Sequence, residues 1–353
     1  INAVIPVLIV PYYSVIGGWV IKYLVEYFRG NAKLLAEDGY FTDFISNGVS
    51  TELCFVAFCA FTLIIIFAGV QNGIERVSKI MMPILIVLSV IIAVYSVTRP
   101  GALAGVKYFL VPNVKNFSWM TVVSAMGQMF YSLSIAMGIL ITFGSYMKKD
   151  TAIEDSTRNV EIFDTGIAIM AGLMIIPAVF AFSGGDPDTL QAGPSLMFIT
   201  IPKVFQNMGF GTVIGIVFFV LVLFAAVTSS IALTESAVST FEDELGWGRK
   251  KATVLVGVIM LALGSLSSLG YGPLAGIKII GMQFLDLFDF LTNSVMMPIA
   301  ALITSLLVSR VVGIDKIEEE IIHGESAFRR KKVFVVMIKY LCPVFAIIIL
   351  LSS

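Results

Sequence analysis

Apolar positions in this chain run in long blocks separated by short polar ones. Nine blocks, at 4–28, 52–70, 80–98, 119–146, 160–184, 208–241, 252–270, 283–309 and 333–352, reach or pass the length an α-helix needs to cross a bilayer core, about 20 residues. The pattern predicts an all-α integral membrane protein whose nine transmembrane helices form a single domain over 1–353. Several blocks exceed the minimum, so tilted or broken helices are expected.

One block is unlike the rest. Residues 127–146, GQMFYSLSIAMGILITFGSY, carry Gln128, Tyr131, Ser132 and Ser134 before apolar character resumes at Gly138. Hydrocarbon offers no water to a freed backbone group, so a Gly-bounded polar break is tolerated only against protein or a wet cavity. A broken helix that can bind a small solute is the expectation.

Two connections hold more than a turn. Residues 185–207 are punctuated by Pro187, Gly193, Pro194 and Pro202, yet SLMFITIPKVF is apolar enough to dip into protein, as a re-entrant outer lid or as a packed surface loop. Within 310–332, IDKIEEEIIH at 314–323 predicts a short amphipathic helix with Ile317, Ile321 and Ile322 on one side, ending at a solvated His323.

Composition agrees with the pattern: 58% of residues are hydrophobic, 13% are charged, and the mean hydropathy is +0.96. A net charge of −1 gives no footprint for nucleic acid. Cys54, Cys59 and Cys342 lie in apolar segments without metal-ligand spacing and read as core residues. Lys and Arg distribute unevenly: loops 71–79, 147–159, 242–251 and 310–332 hold 14, whereas 29–51, 99–118, 185–207 and 271–282 hold 7. The positive-inside rule then puts the first set and Ile1 in the cytoplasm and the C-terminus outside. The chain starts at Ile1 in an already apolar run, with no charged leader or cleavage site, and reads as beginning partway into a larger protein.

Polar side chains inside the blocks carry the chemistry, because they are costly there and face the bundle interior. Asp164 sits in EIFDTGIAIMAG with no Lys or Arg within a turn or two on its own helix. Such a carboxylate is protonated, paired, neutralised by a bound cation, or near enough to a helix end to reach water. Ala225, Thr228, Ser229 and Leu233 share one helix face, where two hydroxyls and a carbonyl freed by loosened backbone would suit a small alkali cation. Ser and Thr also commonly bond back to the preceding turn or join helices. Ile9 and Tyr13 share a face of the first block; the Tyr13 hydroxyl needs either a ligand carboxylate or a neighbouring carbonyl. Asp289, Asp243 and Tyr146 fall near helix ends, as gate members or as solvated groups. No nucleophile–base pair, metal cluster or phosphate loop speaks for an enzyme.

The strings PYYSVIGGW, GQMFYSLSIAMGILITFGSYMKKD, AGPSLMFITIPKVF and VTSSIAL…FEDE, in this order, resemble the sodium-coupled neurotransmitter and amino-acid symporters, particularly their bacterial eleven-helix branch. The resemblance covers essentially the whole chain, and Gly73 with Pro83 is similar to the hinge motif that opens the family's fifth helix. It implies an inverted-repeat transporter fold with helices broken at the midplane, and a register in which the nine blocks are helices three to eleven. On that register the chain is truncated before its third helix.

Carried over by position, the resemblance implies that Tyr13 meets the substrate carboxylate, Ile9 lines the same pocket, Tyr131 covers it, Ser134 makes a polar backbone contact, and Met137 and Leu233 wall the side-chain pocket. One sodium site would use Ser132 and Asp164, a second the Ala225 carbonyl with Thr228 and Ser229, each completed by the missing first helix. Asp289 would belong to an outer gate and Asp243 and Tyr146 to an inner one, their arginine partners being absent. Asp164 stands where relatives carry an amide, and Ala168 where they carry a chloride-binding serine or a substitute carboxylate. Chloride independence is therefore expected, with sodium-coupled symport of a hydrophobic L-amino acid across the cell membrane. A transport-incompetent fragment, a substrate-sensing membrane protein on the same fold and a proton-coupled carrier are the alternatives.

Overall fold

The computed structural model describes residues 1–186, 190, 193–324 and 327–352; Pro187 and parts of the expected lid and inner loop lie outside them. The described residues are helical apart from short connections, with one isolated antiparallel bridge, Ile279–Met282, and no strand. In chain order the helices are α1 Val4–Phe28, α2 Ala32–Leu35, α3 Tyr40–Ser46, α4 Gly48–Phe67, α5 Arg76–Val97, α6 Ala102–Leu110, α7 Trp119–Ser132 and α8 Ile139–Ser145. There follow α9 Ile153–Ser183, α10 Ile201–Gln206, α11 Gly211–Leu245, α12 Arg249–Leu269, α13 Phe284–Asp289, α14 Met297–Leu306, α15 Ile314–Gly324, α16 Lys331–Val336 and α17 Cys342–Ser352. Wider π-helical turns join α13 to α14 through Phe290–Met296 and α16 to α17 through Met337–Leu341, and lead into α5 from Val70.

Among the described residues, eight uninterrupted helices are long and apolar enough to cross a membrane: α1, α4, Val70–Val97, α9, α11, α12, Phe284–Val312 and Lys331–Ser352. The ninth expected pass is the α7–α8 pair. Most boundaries move by a few residues, but 71–79, expected as a loop, is helix: Val70–Glu75 is the π-helical turn that runs straight into α5. Arg76 and Lys79 are thus helical rather than loop residues.

The core forms around α1, which packs on α4, α11 and α12. Its most apolar stretch is 67% buried, against 11% for Lys331–Ser352, so the first helix is interior and the last peripheral. Close approach is sequence-encoded: a Cβ at Gly18 would sit 2.7 Å from the Phe55 backbone nitrogen, so any side chain there forces α1 and α4 apart. Tyr23 and Phe198 each bring an aromatic ring into the same cluster, with centroids 5.0 Å apart.

Phe198 belongs to the 185–207 connection. Leu196–Thr200 forms a π-helical turn that continues into α10, and Phe198, Ile201, Val204 and Phe205 are buried. The Phe198 ring stacks on Phe41 at 5.2 Å, and its carbonyl accepts the Tyr23 hydroxyl at 2.8 Å. Lys203 reaches Asp38, pairing this segment with the chain near α3 and holding the Asp38 carboxyl below its usual range. Asp38 stands in solvent and Lys203 is only partly buried, so the pair adds little to stability.

In α15 the predicted apolar side needs correction. Ile321 is buried and Ile314 and Ile317 are partly so, but Ile322 is exposed beside His323. A spacing of three and four from Ile314 reaches 317 and 321, whereas 322 lies a further 100° round the helix. The cysteines are free, Cys59 fully buried and the others partly.

Candidate functional site

The interruption between α7 and α8 is narrower than the polar composition suggests. Gln128, Tyr131 and Ser132 remain on α7; the chain leaves helical geometry only over 133–138. Ser134, Ala136 and Gly138 take left-handed φ of 54°, 62° and 78°. Such a backbone costs about 1–3 kcal/mol for each non-glycine residue, a strain that marks functional segments. Gly138 is required twice over, since a Cβ there would also lie 2.8 Å from the Asn2 carbonyl oxygen and 2.9 Å from Ser236 Oγ.

Against this turn lies a cavity of about 460 Å³. It is lined by Ile9 and Tyr13 of α1, Tyr131 and Ser132 of α7, Ser134 and Met137 of the interruption, and Thr228, Ser229 and Leu233 of α11; Met82, Gln128, Ile139 and Ala232 complete it. All six residues expected to meet substrate are therefore brought to one cavity. Ile9, Met137 and Leu233 are buried and give it an apolar side. Tyr12, one residue from Tyr13, turns away: it is buried and its hydroxyl bonds Thr292 Oγ1 at 3.2 Å.

The expected cation ligands fall in two groups. Ser132 Oγ donates to Asp164 Oδ1 at 2.6 Å, which brings a carboxylate from α9 to the end of α7, just before the interruption. Asp164 itself is half-buried. In the second group α11 is continuous from Gly211 to Leu245, so the loosened backbone expected at Ala225 is absent. Its carbonyl accepts the Thr228 hydroxyl at 3.0 Å, as does that of Phe224, the back-bonding arrangement that a regular helix allows. Thr228 and Ser229 still line the cavity, so their hydroxyls remain available to a cation that replaces those bonds. Among the described residues no cluster of three His, Cys, Asp or Glu could hold a transition metal.

Two clusters flank the cavity. At one end Asn293 donates to Asp289 Oδ1 at 2.6 Å and approaches the Tyr12 hydroxyl at 3.4 Å. At the other, Tyr146 does not meet Asp243, which is exposed; its hydroxyl donates to Glu235 Oε1 at 2.7 Å. Glu235 is fully buried and held by Arg249, whose Nη1 and Nη2 reach its two carboxylate oxygens at 2.9 and 2.5 Å. Arg249 also donates to the Ile66 carbonyl of α4 and lies 3.6 Å from Glu242. Sequence reasoning missed this pair, although a Glu inside the apolar block 208–241 was the same signal that singled out Asp164.

Residues 26–353 match the family model for the sodium:neurotransmitter symporter family. The uncharacterized sodium-dependent transporter YhdH of Bacillus subtilis is 34% identical over 349 residues, 98% of this chain and 76% of that protein. An uncharacterized sodium-dependent transporter of Haemophilus influenzae is 30% identical, again over 98% of this chain and 76% of its own length. Among solved structures, MhsT in complex with L-phenylalanine superposes with a TM-score of 0.86 at 33% identity, covering 99% of this chain and 79% of that one. With the interrupted pass and its cavity built from the same chain, the protein belongs to the sodium:neurotransmitter symporter family, as a multi-pass membrane protein with the all-helical transporter fold of that family.

Proposed function

We propose that this protein couples the downhill entry of sodium to the uptake of a large hydrophobic L-amino acid. The observation that carries the reading is the cavity itself: apolar on the side of Ile9, Met137 and Leu233, polar at Tyr13, Ser132, Ser134, Thr228 and Ser229, and one hydrogen bond from a carboxylate. An amino acid has this polarity. Its side chain would lie against Ile9, Met137 and Leu233, its carboxylate would meet the Tyr13 hydroxyl, and Tyr131 would cover it. Met137 is unbranched and polarisable, so the apolar side adapts to side chains of different shape. L-Phenylalanine in the related MhsT supports this choice of substrate class.

Sodium enters as co-substrate. Asp164 and Ser132 supply one set of oxygens, and Thr228, Ser229 and the Ala225 carbonyl a second. A cation at the first set is attracted by the substrate carboxylate as well as by Asp164. Each ligand then raises the affinity of the other by the same factor, which is what couples the two fluxes. Asp164 also carries the fixed negative charge that chloride would otherwise contribute, since Ala168 offers no anion ligand. Asp289 on one side of the cavity, with Tyr146 on the other, would be gate residues, the 185–207 segment an outer lid, and 310–332 with α15 a cytoplasmic loop.

Uptake of tritiated amino acids into proteoliposomes tests this reading. An inward sodium gradient is expected to drive accumulation of phenylalanine, leucine or tryptophan, unchanged when gluconate replaces chloride. Accumulation driven by a pH gradient without sodium, collapse on chloride removal, or preference for an acidic or basic amino acid would contradict it.

A further inference from the structure

Between the cavity and the Glu235–Arg249 pair runs a file of buried hydroxyls that belongs to neither. Thr142, in the middle of α8, is 8% exposed. Its Oγ1 donates to Ser236 Oγ at 3.3 Å and lies 3.3 Å from Ser239 Oγ, both on α11. Ser236 Oγ is the atom that a Cβ on Gly138 would meet at 2.9 Å, so the upper end of the file touches the interruption. The single proton of Ser239 Oγ can go to Thr142 Oγ1, to the Ser236 carbonyl at 3.2 Å or to the oxygen of Tyr146, whose own hydroxyl closes on Glu235.

We infer that Thr142 is a positioning residue that fastens the short half-helix α8 to α11, so that movement at 134–138 is passed to the Tyr146–Glu235–Arg249 closure. Helix α8 has seven residues and is bounded by the left-handed Gly138 before it and a turn after it, so its own backbone bonds cannot fix its position. Apolar packing holds it against α11 without direction, whereas hydroxyl pairs have preferred partners and lengths. Buried hydroxyls that lose a partner are costly, so the file has two favourable states, made or replaced by water, rather than a continuum. A ligand that draws the interruption toward the cavity favours the made state and with it the closed carboxylate–guanidinium pair. The link to transport rests on the proposed symport; the fastening itself does not.

Thr142→Val keeps the shape and removes the hydroxyl, Thr142→Ser restores it, and Ser236→Ala breaks the file from α11. Hydrogen exchange on the whole purified chain, without ligand, reads the fastening directly. Backbone amides of 140–146 are expected to exchange about tenfold faster in the Val and Ala variants, with α1 and α12 unchanged and wild-type rates in the Ser variant. In binding assays the same two variants are expected to need severalfold more sodium for half-maximal amino-acid binding, with Thr142→Ser again normal. Unchanged exchange in both variants, or a Ser variant that behaves like Val, overturns the inference. Altered exchange in a protein that binds neither sodium nor amino acid leaves the fastening standing and removes the symport reading instead.

Discussion

Asp164→Ala is expected to abolish sodium-driven accumulation while the protein folds and inserts normally. The carboxylate is half-buried and its hydrogen bond to Ser132 Oγ spans two elements, so its loss leaves one hydroxyl to find water rather than a buried charge to find a partner. The functional loss is far larger. A unit charge about 4 Å from a cation contributes about 4 kcal/mol at an effective dielectric of 20, on the order of a thousandfold in affinity. Asp164→Asn keeps an oxygen in place but not the charge and should fall nearly as far. Ser132→Ala, which removes a neutral ligand, should cost only about tenfold. Half-saturating sodium for amino-acid binding, measured for the three variants, checks this order; equal losses for Asp164→Asn and Ser132→Ala would show that the charge is not what matters.

The second large effect concerns stability. Arg249→Ala removes the cation and two of the three hydrogen bonds from a carboxylate with no solvent access, leaving only the Tyr146 hydroxyl, and breaking such a pair from one side costs about 3–5 kcal/mol. Arg249→Lys is no remedy, because a single ammonium cannot satisfy both Glu235 oxygens and the Ile66 carbonyl together. The double variant Glu235→Gln/Arg249→Met removes both charges and should recover most of the loss, even if the closure it served is weakened. Thermal unfolding in detergent checks the series: a large drop for Arg249→Ala with partial recovery in the double variant is expected. No drop in the single variant would mean that Glu235 is already neutral or reached by water.

Much of the fold was legible because membrane passes are written in long apolar runs, and eight of the nine came out as uninterrupted helices. What misled was local. Gln128, Tyr131 and Ser132 looked like part of the interruption because they are polar, yet spacings of three and four place Gln128, Tyr131 and Ser132 together on one face of an intact helix turned toward the cavity. Polarity marked the cavity, while positive φ at Ser134 and Ala136, which no sequence pattern announces, marked the break. Residues 71–79 looked like a loop because Gln71, Asn72, Gly73 and Glu75 cluster there, but a π-helical turn accommodates them without leaving the helix. The candidate site was reached by resemblance more than by spacing: nothing in the separations of Ile9, Tyr131 and Leu233 says that three distant helices meet. The same dependence hid the Glu235–Arg249 pair.

Coupling as proposed depends on one carboxylate on α9 holding a sodium ion that the transported amino acid also touches. Amino-acid binding to the purified protein, titrated with sodium at several fixed concentrations of phenylalanine, tests it most directly. In the wild type the half-saturating sodium concentration is expected to fall as phenylalanine rises, and in Asp164→Asn this dependence is expected to vanish. Sodium and phenylalanine affinities that are independent of one another in the wild type, or coupled equally in both proteins, would contradict it.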